Sequence, residues 1–112
     1  MAAFQRAHDP DRPGQLLLRR GEPVAVVYWL HDFADRAQTG WFMELLDDAG
    51  EPDGRPPLRL DVSADVGALA GDTQRPRVEW LARAEAVELV TADAALRAGE
   101  HALTRRLGGG AA

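Results

Sequence analysis

Apolar and polar positions follow two different periods along this chain, and the change falls near Gly71. Leu16, Leu17 and Leu18 form a short apolar run that stops at Gly21-Glu22-Pro23, a turn signal. Val24 to Leu30 is β-branched and aromatic. Val24, Val26, Tyr28 and Leu30 fall on one alternating face, and Ala25, Val27 and Trp29 on the other. A strand apolar on both faces predicts a central position, and the two runs predict a hairpin with Gly21 in its turn. His31 to Gly40 is polar and reads as a loop. Trp41 to Leu46 is too short for period alone to separate strand from helix. Its leading aromatic residues, and the turn-rich segment after it, favour a strand. Asp47 to Pro57, with Gly50, Gly54 and three prolines, predicts a long exposed turn. Leu58, Leu60 and Val62 then alternate with Arg59, Asp61 and Ser63, the pattern of a half-wet strand near an edge.

Beyond Gly71 the spacing becomes helical. Pro76 suits a first helical turn, with Thr73 as its cap. Trp80, Ala84, Val87 and Thr91 share one stripe, although Val87, Leu89 and Thr91 also alternate, so residues 78–90 fit helix or strand. Thr91 is expected to cap a helix running to Leu107. Ala92, Ala95, Leu96, Gly99 and Leu103 form its apolar stripe. Asp93 near its start and Arg105 and Arg106 near its end suit the helix dipole, and Gly108 is a stop. Strands first and helices last define an α+β protein: an antiparallel sheet of about four strands with one or two C-terminal helices on one face. The expected division is a flexible tail over 1–14, one domain over 15–107, and a second tail over 108–112.

Composition narrows the chemistry. At 112 residues, 46% apolar and 28% charged, the chain has the balance of one globular domain. It has no cysteine, which removes thiolate metal sites, disulfides and a cysteine nucleophile. It has no lysine, which removes Schiff-base chemistry and a phosphate-loop lysine. No segment approaches the roughly 20 apolar residues needed to cross a bilayer, and the polar N-terminus lacks a signal peptide's apolar region. The expected location is the cytoplasm, without membrane association. The net charge of −5 is uneven. Residues 21–74 carry three arginines against eleven acids. That acidic middle disfavours a nucleic-acid backbone and suits solubility or a basic protein partner.

Three local patterns bear on function. His31, Asp32 and Asp35 follow the two-faced strand, where a histidine beside carboxylates can act as a general base or bind a ligand. A polar loop is the structural alternative. Asp47, Asp48, Glu51 and Asp53 form an acidic run before Gly54. Its spacing is not that of a calcium loop, and it reads as a solvated turn that could contact a partner. Trp29, Tyr28 and Trp41 have the composition of a base-stacking platform, but their acidic neighbourhood favours core packing. His8, His31 and His101 lack helical metal spacing, and no dinucleotide- or phosphate-binding glycine pattern occurs, so neither metal nor cofactor is expected. Ala92, Ala95, Gly99 and Ala102 permit close helix approach, either to the sheet or across a homodimer seam.

Gly21-Glu22-Pro23-Val24, then Tyr28, then Thr39-Gly40-Trp41, resembles a small bacterial domain family of unknown function grouped with the immunity proteins of polymorphic toxin systems. The likeness spans about a fifth of the chain and has no counterpart in the C-terminal third. It implies binding to a toxin. The expected function is therefore a non-enzymatic protein-interaction domain, immunity-like in its sharpest form, with Asp47, Asp48, Glu51 and Asp53 facing a basic partner. The alternatives are a small enzyme or ligand-binding domain using His31, Asp32 and Asp35, and a structural homodimer subunit.

Overall fold

The computed structural model describes residues 4–108. Five strands form one antiparallel meander in chain order: β1 (Gln5–His8), β2 (Gln15–Arg19), β3 (Glu22–Leu30), β4 (Gly40–Leu45) and β5 (Leu58–Leu60). Two helices follow, α1 (Ala64–Gly71) and α2 (Arg77–Gly108). The α+β architecture is as expected, with one strand more. β1 lies within the segment expected to be a tail. Its Arg6 stands opposite Leu17 in the sheet, and the preceding Phe4 is buried in the core. Met1–Ala3 and most of the expected C-terminal tail, residues 109–112, lie outside the described residues, and Gly108 is the last residue of α2.

The β2–β3 hairpin closes through Arg20 and Gly21, at φ 55° and 82°. Two successive positive values are the turn whose twist matches paired strands, and they explain glycine at the second position. β3 occupies the middle of the sheet, as its two apolar faces predict. Ala25 and Val27 face the helices together with Leu17, Trp41, Met43 and Leu60 from neighbouring strands. Val26 and Tyr28 face the other way, in register with Leu16 and Phe42.

Residues 78–90 are helical, and α2 runs unbroken through Thr91. Its 32 residues extend about 48 Å at 1.5 Å each, which sets the 46 Å long dimension of the molecule. Trp80, Ala84, Val87, Thr91, Ala95, Gly99 and Leu103 form one buried stripe against the sheet. Gly99 marks the closest approach. A Cβ built there would lie 2.9 Å from Val27 Cγ2, with Leu17 and Met43 on either side. The small residues of this helix therefore serve packing on the sheet.

Thr91 is not an N-cap. Its hydroxyl donates to the Val87 carbonyl within the helix and accepts from Trp41 Nε1 at 2.9 Å, tying α2 to β4. Thr73 does not cap the helix either, because α2 begins at Arg77 and the Pro76 carbonyl accepts from Trp80 N at 2.8 Å. Fully buried Trp80 donates Nε1 to the Leu69 carbonyl at 3.1 Å, docking α1 on α2. Arg6 docks β1 on the same helix through Asp93 at 3.0 Å and Glu100 at 3.2 Å. Among the described residues, no helix is long and apolar enough to cross a membrane.

Candidate functional site

The helices cover one side of the sheet and leave the other to the loops. On that open side Tyr28 and Phe42 stand opposite each other, with ring centroids 5.9 Å apart and planes 23° from parallel. Arg59 lies beyond Phe42 in register, its guanidinium carbon 5.4 Å from the ring centroid. Glu44 stands opposite Val26 in the adjacent row.

Two loops fold against this face and turn it into a cleft of about 670 Å³. The first joins β1 to β2. Asp9 organises it by accepting from Asp11 N at 2.9 Å and from Arg12 Nε at 3.0 Å. Gly14 presses its backbone onto β3 at φ 87°, where a Cβ would lie 2.1 Å from the Val27 carbonyl oxygen. Only glycine fits such an approach with that backbone angle. The second loop joins β4 to β5. Asp47 Oδ1 accepts from Ala49 N at 2.9 Å and Glu51 N at 3.0 Å, and Asp53 N donates to the Leu45 carbonyl at 3.0 Å. Arg12 links the loops by donating to the Gly50 carbonyl at 3.1 Å.

The floor of the cleft is Val26 and Tyr28. Its walls carry the carboxylates of Asp9, Asp11, Glu44 and Glu51, with Arg12 as the cation among them. Asp9 is paired with Arg12, whereas Asp11, Glu44 and Glu51 form no ion pair among the described residues. Burial raises the Tyr28 hydroxyl above its ordinary pKa, and the negative charge of Glu44 adds to the effect. An aromatic floor ringed by excess carboxylate attracts a cationic surface with some apolar character.

The structure separates the acidic run expected at 47–53. Asp47 is occupied in holding its own turn, and Asp53 accepts from Arg55 N at 3.0 Å and pairs with the Arg55 side chain. Asp48 is exposed on the same turn, and Glu51 lines the cleft. Asp9, Asp11 and Glu44 join them from other segments. The alternative trio is held by separate bonds that do not bring its side chains together. Trp29 Nε1 donates to His31 Nδ1 at 2.9 Å. Asp32 Oδ1 accepts from Ala34 N at 2.9 Å and Asp35 N at 3.2 Å, so Asp32 shapes the turn rather than facing the imidazole. Nor do the three aromatic residues form one platform. Trp29 and Trp41 are 5.3 Å apart on the helix side, and Tyr28 is on the open side. Among the described residues, no group of three or more histidines and acids is placed to hold a metal ion.

No protein-family model, curated protein or solved structure matches this chain.

Proposed function

We propose that this chain is a non-enzymatic interaction domain that binds a basic protein partner through the open side of its sheet. The observation that carries this reading is the open-side cleft, where Asp11, Glu44 and Glu51 stand around Tyr28 with no ion pair among the described residues. Charged residues around an aromatic centre are the usual division of labour at an interface: the rim steers encounter and the ring supplies desolvated contact. Immunity-like binding of a toxin, which the strand–tyrosine–tryptophan resemblance suggests, is one specific form of this reading.

The test is affinity capture of a basic partner from the native host at moderate salt, comparing wild type with the Asp11→Asn, Glu44→Gln, Glu51→Gln triple variant. The three positions lie on loops and the open face, so far-UV circular dichroism should be unchanged. Wild type should retain one stoichiometric basic protein, and the variant should lose it, with association slowed about tenfold or more. Equal retention by both would remove the cleft from the interface.

A further inference from the structure

A second cleft lies on the opposite side of the sheet, between α2 and strands β3 and β4, with a volume of about 630 Å³. Trp29, Trp41 and Leu96 line it, and His8, Glu85 and Glu88 stand around it. We propose that this cleft receives the guanidinium of an arginine side chain presented by the protein partner. The inference rests on the basic-partner reading only for the source of the arginine.

The chemistry of the walls selects a cation. Both indole N–H groups are already committed, Trp29 Nε1 to His31 Nδ1 and Trp41 Nε1 to Thr91 Oγ1, each at 2.9 Å. The indoles therefore present ring rather than donor to the cleft, half-buried Trp29 more openly than Trp41, which is 6% exposed. Glu85 and Glu88 are three residues apart on α2 and so share one side of the helix. Neither forms an ion pair among the described residues, whereas Asp93 and Glu100 on the same helix are both paired with arginine.

A guanidinium matches this arrangement better than an ammonium. It is planar, lies against an aromatic face, and still donates sideways to carboxylates. The chain pairs its own arginines with rings in this way: the Arg36 guanidinium carbon is 4.2 Å from the Phe33 ring centroid.

The experiment is a nitrogen-15 NMR titration of the full chain with N-acetyl-arginine amide. It reads the indole N–H resonances of Trp29, Trp41 and Trp80, and proton–carbon-13 spectra of the same samples read the ring signals of Tyr28 and Phe42. Trp80 is fully buried and bonded to Leu69, so it is the internal control. The expected result is a saturable shift at Trp29 and Trp41 and none at Trp80, with N-acetyl-lysine amide binding more weakly. Glu85→Gln with Glu88→Gln should weaken the response at least about tenfold, the loss of roughly one charge-assisted contact. No saturable indole shift would overturn the proposal, as would one unchanged in the double variant or reproduced by sodium chloride at equal ionic strength. A response at Tyr28 and Phe42 without one at the indoles would also overturn it while leaving the open-side reading intact. Loss of partner capture in the open-side variant, measured separately, bears only on that reading.

Discussion

Thr91→Val tests how α2 is joined to the sheet. Thr91 is 4% exposed and Trp41 6%, so their 2.9 Å hydrogen bond is shielded from water. Valine keeps the shape but removes the acceptor. The Trp41 N–H is then buried without a partner, which costs about 1–3 kcal/mol. The Val87 carbonyl loses the hydroxyl but keeps its main-chain acceptance within the helix, so little is added there. The expected loss is about 2 kcal/mol, or roughly 6–12 °C in midpoint temperature for a domain of this size. Urea unfolding followed by tryptophan fluorescence and circular dichroism should show a lower midpoint at unchanged slope. Thr91→Ser, which keeps the hydroxyl, should lose only about 1 kcal/mol. Thr91→Gly separates the mid-helix role from a cap: glycine at an N-cap costs a few tenths of a kcal/mol, but in this buried helix interior it loses about 1 kcal/mol of propensity and the bond as well. In a double-mutant cycle, Trp41→Phe should cost about 1–2 kcal/mol less in the Thr91→Val background than in wild type. If Thr91→Val stays within about 0.5 kcal/mol of wild type and the cycle is additive, the indole N–H reaches water and the packing argument fails.

Gly14→Ala should destabilise by more than the roughly 1–3 kcal/mol of left-handed strain alone, because its Cβ would lie 2.1 Å from the Val27 carbonyl oxygen. Thermal unfolding checks this; a midpoint equal to wild type would mean that the loop does not press on β3 as described. Hydrogen bonding from Arg6 holds the Asp93 carboxyl below its ordinary value, with the charges of Arg97 and Arg6 adding to it. A lowered folded pKa contributes stability that is present above about pH 4 and is lost as pH falls through the folded value. The urea midpoint of wild type should therefore fall more steeply below about pH 4 than that of Asp93→Asn. Because Asp93 is 68% exposed, the difference should be small and should vanish in about 1 M salt. Parallel pH profiles would refute the coupling.

The elements that were legible in the sequence are those whose burial depends on their own residues. β3 carries apolar side chains on both faces, and only a central strand can bury them. From Ala92 to Leu103 the apolar stripe keeps a helical period alone, whereas over residues 78–90 the alternation of Val87, Leu89 and Thr91 fits a strand as well, and only the structure shows one continuous helix. Thr91 misled because threonine favours helix starts, whereas its polar atom is required here by an indole fifty positions earlier. α1 leaves little trace in the sequence because it buries only Val66 and Leu69, one turn apart, among small residues. β1 is not legible because four residues establish no alternation, and its anchors are distant: Arg6 reaches Asp93 and Glu100 on α2.

The same distinction explains the site. Summed by segment, the first twenty residues are basic and the middle is acidic, which suggested one acidic loop. Ion pairing rearranges that balance. Arg6 is committed to α2 and Arg12 to Asp9 and the Gly50 carbonyl, so two of the four arginines that make the N-terminus basic offer little to a partner. Arg12 instead draws the β1–β2 loop, with Asp9 and Asp11, against the turn that carries Glu51. Pro13 of that loop lines both clefts, one on each side of the sheet. Carboxylates with no ion pair among the described residues therefore stand on both sides of one short loop: Asp11, Glu44 and Glu51 on the open side, Glu85 and Glu88 on the helix side. A flat basic surface can meet only one of these groups, because the sheet lies between them. A partner that engages both must straddle the Asp9–Gly14 loop with separate basic projections. For such a partner the close seating of Gly14 on β3 would set the distance between the two clefts, so Gly14→Ala should weaken its capture as well as lower stability.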